Sequence, residues 1–289
     1  MYCPSNNSLC QSLQALSSNV WHDLSDAITY SSPLHEEAIT QYNSLTLTRS
    51  HRRENFIYQF NKKTEEPKTG ADWLWVFFDP GTLHYILVAV QAKRLYSSGK
   101  YDALKITQTQ KLIDYAQNQW LGCVPVYVFY NHSAVRINRP PVLHKNWNLA
   151  LRPSVIDPVD LGCTFVNAHV VMHYGESISK NPQSLSANTR PWWHLVCKCQ
   201  FSHPRFNPSD PMTNLAERLQ LSEPEDDDSF IRPRTAEGPM LDFLTGESLP
   251  EEKLENMFGL NEIDPEDPDA FRPEFLKVTR INNKEAERR

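Results

Sequence analysis

Glycine is scarce in this 289-residue chain, with 9 residues against 21 prolines. Loops are therefore stiffened more often than loosened, and neither a Gly/Ser linker nor a collagen-like stretch is present. A glycine-rich phosphate cradle is absent as well, which sets aside the common nucleotide-binding loops. The six cysteines, at positions 3, 10, 123, 163, 197 and 199, are too sparse for a disulfide scaffold, so reduced thiols are the expectation. Long apolar runs are also missing. The longest, Trp73 to Phe78 and Tyr85 to Val90, are six residues each, where a membrane span needs about 20. The opening MYCPSNNSLCQSL has neither a basic nor an apolar leader region, so a soluble, cytoplasmic protein with no membrane partner is expected.

What is present is ample for a core: 40% of residues are hydrophobic and 11% aromatic. The net charge of -6 is unevenly placed. Residues 1–219 carry 20 Lys+Arg against 16 Asp+Glu, whereas residues 220–289 carry 9 against 19. The first part is compatible with a polyanionic partner, and the second reads as an acidic extension opening with SEPEDDDSF. Its short apolar clusters, Met240, Leu241, Phe243, Leu244 and then Leu254, Met257, Leu260, suggest brief docking helices rather than a second core. Three regions are expected: an N-terminal helical segment over 1–32, a main domain over 33–207, and the extension over 208–289.

Hydrophobic spacing predicts an N-terminal amphipathic helix from Leu13, Leu16, Val20, Leu24 and Ile28. Ser32 can cap a second helix from about Pro33 to Leu47, with Glu36 and Glu37 in its dipole-favoured first turn. Asn55 to Phe60 alternates as a strand. Asp72 to Phe78 and Leu83 to Gln91 form a hairpin across Asp79-Pro80-Gly81-Thr82. A helix over Tyr101 to Trp120 packs on the sheet, and Val124 to Tyr130 is a strand covered on both faces, central or parallel to its neighbour. The resulting order is helix, strand, strand, strand, helix, strand.

The hairpin carries a geometric prediction. With its midpoint near Gly81, Asp72 falls opposite Gln91, and strand alternation puts Gln91 and Lys93 on one face with Ala92 turned away. Asp72, Gln91 and Lys93 can then converge. A phosphodiester hydrolase needs a hard cation held by oxygens, an activated water, and positive charge for the developing oxyanion. Asp72, the Gln91 side-chain oxygen and the Ala92 carbonyl supply candidate ligands, Lys93 would orient or polarise the water, and an acid from the preceding helix would complete the set. Asp79 is a second candidate acid but belongs to the turn, roughly 24 Å from Gln91 at ~3.4 Å per residue.

Thr69-Gly70-Ala71-Asp72-Trp73 followed by Gln91-Ala92-Lys93 resembles the core of the PD-(D/E)xK restriction-endonuclease-like superfamily, in a QxK form similar to the Mrr-like branch. The resemblance implies an α/β fold with an αβββαβ core, a mixed central sheet flanked by helices, and metal-dependent cleavage of nucleic acid. More narrowly, TGADW, QAKRL, the later Gln110-Lys111-Leu112 and PVYVFYN resemble a bacterial family of unknown function, over about residues 33–205. The implied site is Asp72, Gln91, Ala92 and Glu36 around Mg²⁺ or Mn²⁺, with Lys93 and Gln110 beside the scissile phosphate. Glu36, which shares a helix face with Thr40 and Asn43, is preferred over Glu37, which shares one with Gln41 and Ser44. Gln91 in place of an acid lowers the negative charge of the site. The implied function is a phosphodiesterase acting on DNA, in antiviral defence. A catalytically silent module that binds nucleic acid or protein is the alternative, and a homodimer or an activating partner on the acidic extension would fit either. An acidic extension tethered to a net-positive nuclease could also restrain it by occupying the nucleic-acid groove.

Other groups have plainer readings. Glu65 and Glu66, before the TGAD string, read as a polar loop, with an auxiliary metal-binding or structural role as the lesser alternative. His194, Cys197, Cys199 and His203 lack the second Cys pair of a zinc knuckle, so both thiols are expected as small apolar strand residues. Trp192-Trp193 could stack bases but is better explained by packing. Arg52, Arg53, Lys62, Lys63 and Lys68 suit phosphate contacts and solvated surface equally.

Overall fold

A computed structural model describes residues 8–51, 55–60, 66–101, 104–118, 123–132, 158–174, 189–197, 211–220, 232–245, 253 and 257. The described residues form a mixed α/β structure around a seven-stranded sheet flanked by helices. Its strands are β1 (Asn55–Gln59), β2 (Trp73–Asp79), β3 (His84–Arg94), β4 (Val124–Tyr130), β5 (Cys163–Asn167), β6 (Arg190–Pro191) and β7 (Arg234–Thr235). The helices are α1 (Ser8–Thr29), α2 (Glu36–His51), α3 (Glu66–Thr69), α4 (Ile106–Asn118), α5 (Ala168–Tyr174), α6 (Pro211–Gln220) and α7 (Gly238–Thr245). Short 3₁₀ turns lie at Pro158–Leu161 and Trp192–Leu195.

The sheet runs β1 to β6 in chain order, antiparallel except for the parallel β3–β4 pair that α4 bridges. Such a crossover is what a parallel pair requires. β3 and β4 are buried on both faces, which explains their near-continuous apolar sequences. β7 pairs with His84 and Tyr85 along β3, below the point where β4 begins its pairing at Val88.

Strand alternation divides the interior in two. On one face Trp73, Trp75, Phe77, Ile86, Val88 and Val90 pack with α1, α2 and α6. On the other, Leu74, Val76, Leu87, Ala89, Tyr127 and Phe129 pack with α4, α5 and α7. Both α7, through Met240 and Leu244, and Met257 join this second core, so the described part of the acidic extension docks on the main sheet. No described helix is long and apolar enough to cross a membrane.

The elements depart from expectation at their ends. The second helix begins at Glu36 rather than Pro33. Ser32 instead closes the preceding helix, its N–H donating to the Ala27 carbonyl at 2.9 Å, and the Leu34 carbonyl accepts from Arg94 Nη1. Tyr101 lies before α4, bridged to Leu95, with its hydroxyl donating to Asn131 at 2.5 Å. Asp79 serves the turn as expected, accepting from Gly81 N at 3.0 Å and the Thr82 hydroxyl at 2.9 Å.

The expectation of reduced thiols is corrected at one pair: Cys10 and Cys197 form a disulfide across a sequence separation of 187. Cys197 follows a 3₁₀ turn and is not in a strand. The two cysteines meet because α1 packs against that turn, where the Trp192 indole donates to the Leu13 carbonyl at 2.7 Å. Trp192 and Trp193 are buried, so packing is their role.

Candidate functional site

The hairpin register is the one that the sequence predicts. Trp73 pairs with Val90, and Asp72 N–H donates to the Val90 carbonyl at 2.7 Å, which brings Asp72 beside Gln91. Asp72, Gln91 and Lys93 continue the alternation of Leu74, Leu87 and Ala89, so they lie on the α4 face of the sheet. They stand at the carboxyl end of β3, which runs parallel to β4. In open α/β sheets, that end of the strands is where ligands bind.

Asp72 Oδ2 accepts from Gln91 Nε2 and from the Ala92 backbone N–H, each at 2.6 Å. Gln91 Nε2 also donates to the Ala92 carbonyl at 3.1 Å, and Gln91 Oε1 accepts from Gln108 Nε2 at 2.6 Å. Glu36 enters from the first turn of α2. Its Oε2 accepts from Arg94 N–H at 2.7 Å, and its Oε1 lies 4.0 Å from Lys93 Nζ. Glu37 is exposed, and Glu36 is the acid of α2 that lies beside Lys93.

Burial, first, and then the charge of Glu66 push the Asp72 carboxyl from its ordinary 3.8 up to about 8, against the opposing pull of Lys93 and the Ala92 N–H. Glu66, in the first turn of α3, is thus electrostatically part of the site. Glu65 lies outside the described residues. A buried carboxylate among other acids binds a proton or a cation more readily than it stands alone.

The TGAD string has a mechanical role. Gly70 has φ +69, and a Cβ there would lie 2.6 Å from the Gln108 carbonyl and 2.7 Å from Leu112 N. Only glycine allows the chain to pass so close to α4. Thr69 Oγ1 accepts from Ala71 N–H at 3.2 Å and fixes the entry to Asp72. These contacts set the distance between the start of α4 and the strand residues.

Gln110 is not brought to the site. It is exposed and donates to Asp114 at 2.7 Å, one helical turn further on. Gln108 is the α4 residue that meets the cluster, its Nε2 donating to Gln91 Oε1 at 2.6 Å. The signal was available in the helix period: Gln108 shares a face with buried Leu112 and half-buried Tyr115, whereas Gln110 shares one with exposed Asp114 and Gln117.

Among the described residues, no group of three or more His, Cys, Asp and Glu side chains is arranged to hold a metal ion. The donor chemistry here is of another kind: one carboxylate, one carboxamide and one backbone carbonyl. An all-oxygen set with a single carboxylate suits Mg²⁺ or Mn²⁺, which take the rest of their shell from water and substrate phosphate. At the other cysteine-histidine cluster Cys197 is consumed by its disulfide, and Arg218 donates to the His194 carbonyl at 2.6 Å. Cys199 and His203 lie outside the described residues, as do Arg52, Arg53, Lys62 and Lys63.

The described residues thus gather a carboxyl group, a carboxamide and a lysine at the carboxyl end of one strand of a mixed α/β sheet. The chain belongs to a family of unknown function, DUF6615, which it matches over residues 9–285. The match runs through the sheet, the site and the acidic extension alike. No curated protein matches the chain.

Proposed function

We propose that this protein is a Mg²⁺- or Mn²⁺-dependent nuclease with a restriction-endonuclease-like core, acting on DNA. The observation that carries the proposal is the convergence of Asp72, Gln91, the Ala92 carbonyl, Lys93 and Glu36 at the end of β3. The order α2, β1, β2, β3, α4, β4, with its antiparallel hairpin and parallel crossover, supports the fold assignment. The resemblance of the QxK string supports the chemistry.

Asp72, the Gln91 carboxamide oxygen and the Ala92 carbonyl would hold the cation. When bound, the cation supplies Lewis-acid stabilisation of charge on the phosphoryl oxygens. Lys93 is held near Glu36, so its ammonium is kept at the site, where it orients the attacking water and offsets developing negative charge. Glu36 also fixes the end of β3 through Arg94 N–H and so keeps Lys93 in place. Glu66 raises the cost of an unpaired Asp72 carboxylate and thereby favours cation uptake. Genome defence is the setting that the resemblance favours, in the cytoplasm, with an activating partner or a second copy of the chain on the acidic extension.

β7 of that extension meets β3 at Tyr85, six residues from Gln91, or about 20 Å at ~3.3 Å per residue, and its helix α6 packs on the opposite face of the sheet. It therefore lies away from the site, which favours a docking or partner role for it over occupancy of the groove. The acidic stretch at 222–228 lies outside the described residues.

The test is cleavage of supercoiled plasmid, linear duplex, single-stranded DNA and RNA with Mg²⁺, Mn²⁺ or EDTA, alongside Asp72→Ala and Lys93→Ala variants shown to fold. Metal-dependent cleavage that falls by at least about 10²–10³-fold in both variants supports the proposal. Metal-independent cleavage, or cleavage that survives in both, overturns it. Nucleic-acid binding without cleavage would favour the silent module, whose motivation is Gln91 in an acid's place.

A further inference from the structure

The Gln91 carboxamide is satisfied at both ends. Its Nε2 donates to Asp72 Oδ2 at 2.6 Å and to the Ala92 carbonyl at 3.1 Å, while its Oε1 accepts from Gln108 Nε2 at 2.6 Å. The two ends of a carboxamide have the same shape, and its orientation follows the hydrogen bonds around it. In this orientation an N–H donor sits between the two oxygens that the proposed cation site requires. The oxygen that would complete the ligand set points towards α4. A half-turn of the carboxamide exchanges the two ends, after which Nε2 faces α4 and needs an acceptor there. The Gln108 carboxamide, turned likewise, supplies one. Among side chains of this length, only an amide can serve both states, since Glu accepts only and Lys or Arg donates only.

We propose that Gln108 is a positioning residue: the Gln91 and Gln108 carboxamides turn together, with Gln91 Nε2 filling the cation position in the unloaded protein and Gln91 Oε1 facing it in the loaded one. The inference rests on the cation site described under the proposed function. It assigns a reason for Gln in an acid's place, because the amide acts as an internal substitute for the cation where a carboxylate would add a further negative charge beside Asp72 and Glu66.

A direct consequence concerns Gln108→Leu. In the unloaded state that substitution leaves Gln91 Oε1 short of a donor. In the loaded state it leaves Gln91 Nε2 short of an acceptor, and a stranded N–H is the costlier loss. The variant therefore weakens cation binding. Gln108→Glu acts oppositely, since an acceptor-only side chain holds Gln91 Nε2 on the helix side and presents Oε1 to the cation.

The experiment is Mn²⁺ titration of the full chain without nucleic acid, followed by the electron paramagnetic resonance signal of free Mn²⁺. Gln108→Leu and Gln108→Glu are each made in the native chain and in Gln91→Glu, where a carboxylate has no ends to exchange, with Asp72→Asn as the reference. Gln108→Leu is expected to weaken Mn²⁺ binding about tenfold in the native chain and less than about twofold in the Gln91→Glu chain. Gln108→Glu is expected to tighten it more in the native chain than in Gln91→Glu, which removes the common effect of added charge. A merely structural role for Gln108 would move both backgrounds equally. Equal effects in the two backgrounds, or none in the native chain, overturn the inference while leaving the cation site intact. Mn²⁺ binding by the native and Gln91→Glu chains no tighter than by Asp72→Asn overturns the cation site and this inference together. Should Gln108→Leu fail to fold, the Gln108→Glu comparison decides alone.

Discussion

The two faces of the central sheet are built from the same strands and differ in one respect. The face covered by α1, α2 and α6 carries buried polar groups, such as Asn55, Thr40 and Asn43, only as scattered single residues, and it is closed by the Cys10–Cys197 disulfide. The face covered by α4, α5 and α7 is as apolar through Leu87 and Ala89, then turns polar at Gln91 and Lys93 opposite Asp72. Alternation alone would have continued the core for another two positions. Ionising the Asp72 carboxyl in that place costs stability, which the apolar residues of the same face do not.

That contrast can be broken from the apolar side first. Removing the disulfide by Cys10→Ser should lower the unfolding free energy by about 4 kcal/mol, because the crosslink closes a very long loop. Urea denaturation measures the loss, and Mn²⁺ affinity should not change, since the polar cluster lies across the sheet. Leu13→Ala, at a fully buried position on the same face, should cost about 3 kcal/mol by the same assay.

Substitutions on the other face sharpen the comparison with smaller, mixed effects. Gly70→Ala should cost about 2 kcal/mol, since the new Cβ meets the Gln108 carbonyl and Leu112 N and the residue must hold a positive φ. Unlike Leu13→Ala, it should also weaken Mn²⁺ binding, by moving the start of α4 away from Gln91. Asp72→Asn should stabilise the protein by about 1–2 kcal/mol at pH 8 while abolishing cleavage. Its Oδ1 can still accept from Gln91 Nε2 and Ala92 N–H, as Asp72 Oδ2 does. Gln110→Ala, at the exposed end of the scale, should change stability and cleavage by less than about 0.5 kcal/mol.

The parts of the site that were legible in the sequence are those fixed by local rules. Hairpin symmetry about Gly81 gave the Asp72–Gln91 pairing, and period-2 alternation put Gln91 and Lys93 on one face. The apolar run of β4 marked it as a central strand, and its parallel pairing to β3 follows from the intervening helix. Helix phase gave Glu36 and Glu37 comparable polar faces, so which of the two reaches Lys93 depends on how α2 packs. Helix phase separates Gln108, on the face of buried Leu112, from Gln110, on the exposed face of Asp114. The disulfide was not legible, because nothing local to Cys10 or Cys197 records a partner 187 residues away. The pairing of Arg234–Thr235 with β3 was hidden for a related reason: two residues carry no alternation to read.

The sign of the electrostatic cost can be read directly. Asp72 has a folded pKa of about 8 against an ordinary 3.8, so its contribution to stability is fully present below the lower value and is lost as pH rises through the higher one. Asn at this position does not titrate. The decisive measurement is the unfolding free energy of the native chain and of Asp72→Asn from pH 4 to pH 8, with and without saturating Mn²⁺. The account predicts a gap that widens in favour of Asp72→Asn as pH rises and closes when Mn²⁺ is added, because the cation stabilises the native chain alone. A gap that stays flat with pH, or that Mn²⁺ leaves unchanged, would contradict it.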